Sequence, residues 1–154
     1  MADEIIVTNL GRVEQTGTPP ELYTNPATPF VVRFIGNSIP VKNYDRFQYF
    51  EERGKESTAI LRPEFISIFK KGENVQYSKS AEEGVVEDII FRGSNLEIRV
   101  RLHGNLLSTI RSINDPDIQV GETVDVFIHR LFVIDGEKVT MKYNQSLREE
   151  SVII

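Results

Sequence analysis

The sequence predicts a mainly β protein, a small closed or half-closed β-barrel preceded by a β-hairpin and two short helices. Short segments with alternating apolar residues recur from residue 57 onward, separated by turn residues, which is typical of small barrels. The first 36 residues instead contain a hairpin pattern and two Thr-Pro helix starts. Of the 154 residues, 40% are apolar and 27% are charged, which suits one soluble globular core.

The hairpin comes first. Residues 5–7 form a β-branched run, Asn9 and Gly11 suit the positive φ angles of a tight turn, and residues 13–15 form the returning strand. We expect Gly17 to end this hairpin.

Two short helices are expected next. Thr18 and Thr28 each precede a proline, and a capping residue followed by proline marks a helix start. Glu21 completes a capping box with Thr18, and Asn25 stops the first helix because it precedes Pro26. In the second helix one face is expected to be buried, and Gly36 is expected to follow its end. That face carries Phe30, Val31, Phe34 and Ile35.

From residue 37 onward the pattern is that of strands. Candidate strands cover residues 57–61, 65–69, 85–91, 96–103, 106–110 and 120–129, with a final hairpin over 132–141. The clearest alternation is LEIRVRLH. Its apolar residues Leu96, Ile98, Val100 and Leu102 share one face, which predicts one buried and one solvated face. Asp135-Gly136 predicts a type I′ turn. The polar segments 46–56 and 70–83 are expected to be loops.

Composition excludes several classes of function. Net charge is −5, the pI is about 5.1, and no Lys or Arg run occurs, which argues against nucleic acid as a partner. There is no cysteine, so disulfides and thiolate metal sites are excluded. No apolar run reaches the roughly 20 residues of a membrane-spanning helix.

The sequence offers no catalytic residue and no metal site. His103 and His129 lie at strand ends, where we expect solvated imidazoles. A phosphate loop, which needs Gly, four residues and then Gly-Lys-Ser or Gly-Lys-Thr, does not occur in the chain. We therefore expect no ATPase activity from this chain alone.

One turn is a candidate anion site. FRGSN places Arg92, Gly93 and Ser94 at the end of a strand, where exposed N–H groups, one guanidinium and one hydroxyl would hold a small oxyanion. Ordinary turn chemistry also explains glycine and serine there.

The opening segment, ADEIIVTNLGRVEQTGTPPELYTNPATPFVVRFIG, resembles the end of the nucleotide-binding domain in ATP-binding subunits of bacterial ABC importers. The matching positions are Ala2, Asp3, Ile5, Val7, Gly11, Val13, Gln15, Gly17, Pro19 or Pro20, Glu21, Tyr23, Pro26, Phe30, Val31, Phe34 and Gly36. The remainder is similar to the accessory C-terminal region of those subunits, the transport-associated OB-like (TOBE) domain. LRPEFISI and VVEDIIFRGSNLEIRVRL carry that second similarity.

This resemblance implies three parts. Residues 1–36 are expected to be the C-terminal edge of a nucleotide-binding domain, residues 37–143 the TOBE barrel, and residues 144–154 a tail. The phosphate loop, signature motif and switch histidine of the family would lie N-terminal to Ala2, in a parent protein that binds ATP and magnesium. We expect this chain to be either a fragment of such a parent, with Met1 as a start added at the cut, or the product of a split or truncated gene, and to have no cofactor of its own.

The resemblance also implies partners and a location. The parent would sit at the cytoplasmic face of the bacterial inner membrane, against the transporter's membrane subunits. NPATPFV looks most like sulfate and thiosulfate importers, whereas polyamine, ferric iron, molybdate and sugar importers share much of the rest. Arg62 and Glu64, at the family's Arg-Pro-Glu element, are the expected bend or interface residues; a local ion pair that shapes the bend is the other reading. Because residues 5–7 lack a neighbouring sheet, we expect a homodimer or strand exchange through residues 4–15.

Two other functions compete with a regulatory and dimerisation domain. A stand-alone carrier of molybdate or sulfate would use an OB-like barrel to bind a small oxyanion. An oligonucleotide-binding barrel would need aromatic residues among the basic ones, and the face that carries Arg99 and Arg101 has none.

Overall fold

The computed structural model describes residues 3–42, 44–50 and 58–147. Most of the loop expected over 46–56, and the tail beyond residue 147, lie outside the described residues. The described strands are β1 (Ile5–Asn9), β2 (Arg12–Gly17), β3 (Ile39–Val41), β4 (Thr58–Leu61), β5 (Ile66–Lys70), β6 (Glu82–Phe91), β7 (Asn95–Leu102), β8 (Asn105–Ser112), β9 (Thr123–Ile128), β10 (Arg130–Asp135) and β11 (Lys138–Tyr143). The described α-helices are α1 (Pro19–Thr24), α2 (Pro29–Phe34) and α3 (Val75–Ser78), with 3₁₀ turns at Tyr44–Arg46 and Pro63–Phe65.

Residues 3–36 form an N-terminal unit with a small core of its own. Among the described strands, β1 and β2 pair only with each other, as an antiparallel hairpin. The Thr18 hydroxyl accepts from the N–H of Glu21 at 3.3 Å, and that of Thr28 accepts from the N–H of Val31 at 3.4 Å. The predicted hairpin and both helix starts are therefore present. The core of the unit contains Val7, Leu22 and Val31.

The predicted buried face of α2 is wrong at one position. Phe34 is 63% exposed, whereas Val32 is fully buried. The reason is that α2 contacts two cores on adjacent faces: Val31 packs into the core of the N-terminal unit, and Val32 packs into the core of the barrel. Phe34 is left at the surface, where its ring stacks on Phe30 at 5.4 Å.

The rest of the described chain forms two antiparallel sheets around one core. The five-stranded sheet has the order β5-β9-β6-β7-β8, and the four-stranded sheet has the order β11-β10-β4-β3. Strand β3 was not predicted, because its three residues include Pro40, and proline disfavours a strand assignment except at an edge. The expected loop over 70–83 contains α3 and the start of β6.

The five-stranded sheet curls until its two end strands, β5 and β8, meet. Two side chains of β8 join them: Thr109 Oγ1 donates to Ile66 O at 2.7 Å, and Arg111 Nη1 donates to Ile68 O at 2.7 Å. We call this junction the seam. It completes a half-barrel of OB-like shape, so the predicted fold class is confirmed.

The last hairpin has a different turn from the predicted one. Asp135 pairs with Lys138, so the two loop residues are Gly136 and Glu137. Only Gly136 has a positive φ, at 63°. Glycine at the first loop position is typical of a type II′ turn, whereas a type I′ turn requires positive φ at both positions.

Candidate functional site

The junction between the N-terminal unit and the barrel is built around one buried arginine. Arg62 follows β4 directly and has no exposed surface. Its guanidinium donates to Ile35 O and Asn37 O, both at 2.9 Å, and to Tyr23 O at 3.2 Å. Since Tyr23 lies in the last turn of α1 and Ile35 caps α2, Arg62 satisfies two helix-end acceptors that otherwise need a partner.

Tyr23 closes over Arg62 from the side of the N-terminal unit. Its ring centroid lies 4.0 Å from the guanidinium carbon, within the range of a cation–π contact. Its hydroxyl donates to the Glu64 carboxylate. Burial, followed by this hydrogen bond, raises the pKa of Tyr23 to about 12. Burial also lowers the pKa of Arg62 from its usual value.

Gly36 is required for this fit. Its φ is 75°, and a Cβ there would lie 2.3 Å from Tyr23 Cε1. We call Tyr23, Gly36, Arg62 and Glu64 the Arg62 latch.

Arg62 and Glu64, the two residues that the sequence singled out at the bend, both contact Tyr23 of the N-terminal unit. Sequence reasoning missed Tyr23 as their partner, because nothing local links residues 39 or more positions apart.

The candidate anion loop lies in the five-stranded sheet, between β6 and β7. Arg92 Nη2 donates to Glu97 Oε1 at 2.9 Å, and Arg92 N–H donates to Asn95 O at 2.9 Å. Gly93 has a φ of 94°, and Ser94 O accepts from Ile113 N–H at 3.5 Å. The hydrogen bond from Arg92 lowers the pKa of Glu97. The loop therefore presents an arginine that already faces a carboxylate.

Both histidines are partly buried and have partners, so the expectation of fully solvated imidazoles is wrong. His129 Nε2 lies 2.7 Å from Ser67 Oγ, and its ring packs edge-on against Phe127. Burial lowers the pKa of His129, which favours the neutral ring at pH 7. His103 Nε2 lies 2.8 Å from Glu82 Oε1. Among the described residues no cluster of three metal-ligating side chains occurs.

A second buried arginine, Arg111, was missed. Its side chain is 4% exposed and lies 2.7 Å from Glu73 Oε1, and its Nη2 donates to Pro116 O at 2.6 Å. A signal for it existed in the sequence. Leu107, Thr109 and Arg111 share one phase of β8, and all three are buried.

Comparison with known proteins gives a family match. Residues 59–130 match the TOBE domain. The sulfate/thiosulfate import ATP-binding protein of Synechocystis sp. is 31% identical over 112 residues, which cover 68% of this chain and 30% of that protein. The spermidine/putrescine import ATP-binding protein of Onion yellows phytoplasma is 33% identical over 115 residues, covering 66% and 26%. The Fe(3+) ions import ATP-binding protein of Haemophilus influenzae is 27% identical over 148 residues, covering 84% and 39%.

Among solved structures, the cytoplasmic molybdate-binding protein ModG aligns with a TM-score of 0.40 and 17% identity, over 58% of this chain and 63% of that one. The chain spans less than half the length of the three import ATP-binding proteins named above. No described helix of the chain is long and apolar enough to cross a membrane.

Proposed function

The chain carries a TOBE domain and is homologous to ATP-binding subunits of ABC importers, and from this premise we propose that it is the C-terminal regulatory and dimerisation part of such a subunit. In this role it contributes no catalytic residue. ATP and magnesium bind in the nucleotide-binding domain of the parent subunit, which works with membrane subunits at the cytoplasmic face of the inner membrane.

The observation that carries this proposal is the Arg62 latch. A ligand shifts an equilibrium only through contacts that differ between the two states. A regulatory domain can therefore act on an ATPase only through contacts that connect the two domains. Arg62 holds the ends of α1 and α2 through three hydrogen bonds. We infer that movement of the N-terminal unit is thereby transmitted to the end of β4 and to the 3₁₀ turn that leads into β5.

We further propose sulfate or thiosulfate as the solute of the parent transporter. The segment NPATPFV, residues 25–31, supports this assignment, and so does the similarity to the Synechocystis protein. The relatives named for spermidine and for ferric ions are about as similar to this chain as the Synechocystis protein is. The assignment of the solute therefore depends mainly on residues 25–31.

The hairpin supplies the proposed dimer contact. On its outer side Ile6 is 62% exposed, Val13 is 64% exposed and Leu10, at the turn, is 96% exposed. Exposed apolar residues on a strand with a free edge favour pairing with another chain. We therefore expect the chain to form a homodimer or strand-exchanged oligomer through residues 4–15.

Light scattering at high micromolar concentration tests this expectation. The unaltered chain should have the mass of a dimer or larger oligomer, and the double variant Ile6→Lys/Val13→Lys should have the mass of a monomer. Val120→Lys is the matched control, because Val120 is also 62% exposed but lies outside the hairpin. A monomeric unaltered chain would contradict the proposed contact.

A second candidate is a stand-alone carrier of molybdate or sulfate. The observation that favours it is the loop at Gly93, which has a positive φ and lies between the guanidinium of Arg92 and the hydroxyl of Ser94. Since Arg92 is paired with Glu97, an anion would have to compete with a carboxylate. We expect titration calorimetry with sulfate, thiosulfate and molybdate to show no saturable heat. Tight binding that Arg92→Gln abolishes would favour the carrier instead.

A further inference from the structure

A cleft of about 370 Å³ lies where the N-terminal unit meets the barrel, in a place separate from the Arg62 latch. Its walls come from three parts of the chain: Arg33 of α2, the paired strands β3 and β4, and the β7–β8 turn. The volume falls within the range of about 300–1,000 Å³ that small-molecule sites occupy.

One wall of the cleft is fixed by a reciprocal pair of hydrogen bonds. Lys42 N–H donates to Asn105 Oδ1 at 2.7 Å, and Asn105 Nδ2 donates to Lys42 O at 2.8 Å. Asn105 is 6% exposed. This buried amide holds the end of β3 against the β7–β8 turn, so the Lys42 main chain has a defined position.

The two charged side chains among the described residues that line the cleft are both positive. Arg33 and Lys42 are exposed, no aspartate or glutamate is among the described residues that line the cleft, and neither cation takes part in an ion pair described for the chain. This is unusual for a protein with a net charge of −5. Two cations beside a low-dielectric wall attract an anion.

The remaining lining is largely apolar. Pro40, Val41 and Leu106 contribute aliphatic surface, and Leu106 is 45% exposed. An inorganic oxyanion would leave this surface in water, whereas a carbon skeleton would cover it. The lining therefore combines a preference for negative charge with a preference for aliphatic groups.

We propose that this cleft binds an organic anion, a short aliphatic dicarboxylate in its simplest form. One carboxylate accepts from the Arg33 guanidinium, whose planar fork suits bidentate pairing, and the other accepts from the Lys42 ammonium. The carbon chain lies against Leu106. Because Arg33 belongs to the N-terminal unit and Lys42 to the barrel, the bound anion bridges the two parts of the chain. This site is independent of the solute that the parent transporter moves.

Titration calorimetry of the full chain with glutarate, at low ionic strength, tests the proposal. Saturable binding is expected, and Arg33→Gln and Lys42→Gln should each weaken it by about tenfold or more, the usual effect of removing a charged hydrogen-bond partner. Leu106→Glu, which adds a carboxylate to the cleft, should abolish it. Lys79→Gln, an exposed lysine outside the cleft, is the matched control and should leave the affinity unchanged.

Inorganic sulfate and spermidine are the comparison ligands. Sulfate is expected to give no saturable heat, because it leaves the aliphatic wall uncovered, and spermidine is expected not to bind. The absence of glutarate binding would overturn the proposal, as would equal binding by Arg33→Gln, Lys42→Gln and the unaltered chain. Circular dichroism of each variant establishes that it is folded. Dimerisation through the hairpin is measured separately, so its failure and the failure of this site are distinguishable.

Discussion

Replacement of Arg111 by methionine is expected to lower the free energy of unfolding by about 3–5 kcal/mol. The variant leaves the Glu73 carboxylate, which is 17% exposed, without its cation. It also removes the donors to Ile68 O and Pro116 O. Removal of one partner from a buried ion pair is costly because the other charge stays buried. Urea unfolding followed by circular dichroism measures the change.

Two further variants test whether the loss of stability comes from the seam or from the removal of any charged side chain. The double variant Arg111→Met/Glu73→Met should recover part of the loss, since no unpaired carboxylate then remains. Arg101→Met is the surface control: Arg101 and its partner Glu87 are 51% and 46% exposed, and exposed pairs contribute about 1 kcal/mol or less. Equal losses for Arg111→Met and Arg101→Met would show that the seam adds nothing to stability.

Arg62→Met is expected to cost about 2–4 kcal/mol and to loosen the N-terminal unit from the barrel. The variant removes three hydrogen bonds from a charged donor, and their carbonyl acceptors are left without that donor. Unfolding in urea measures the free energy. Limited proteolysis near residues 35–37 measures the detachment, and faster cleavage there is expected.

The conservative variant Arg62→Lys should be intermediate, because an ammonium cannot reproduce the planar set of donors that reaches three carbonyls. The control is Arg33→Gln on the neighbouring helix, an exposed change that should alter stability by less than about 0.5 kcal/mol. If Arg62→Met unfolds and is cleaved like the unaltered chain, the latch does not couple the two parts, and the regulatory proposal loses its physical basis.

Local features of this fold were predictable from the sequence. Thr18 and Thr28 cap their helices because the capping hydrogen bond and the following proline act within a few residues. The strand at 96–103 follows from strict alternation, and Ile98, Val100 and Leu102 are buried as predicted. Such patterns need no knowledge of distant partners.

Features that depend on distant partners were not predictable in the same way. The sheet order places β9 between β5 and β6, and no local signal specifies that neighbour. Arg62 is a charged residue, and charged residues are rarely buried without partners. Its partners are carbonyls of residues 23, 35 and 37, which only the assembled fold brings to it. The exposure of Phe34 also depends on distant parts of the fold, because α2 packs against two cores on adjacent faces.

The seam has a consequence for how relatives of this domain can diverge. Closure depends on the side chains of Thr109 and Arg111, whereas the strand ladders on either side depend on the main chain, which every sequence possesses. Substitutions at these two positions can therefore change how firmly β5 and β8 are joined. Evolution can tune the stiffness of this module while the path of the polypeptide stays the same.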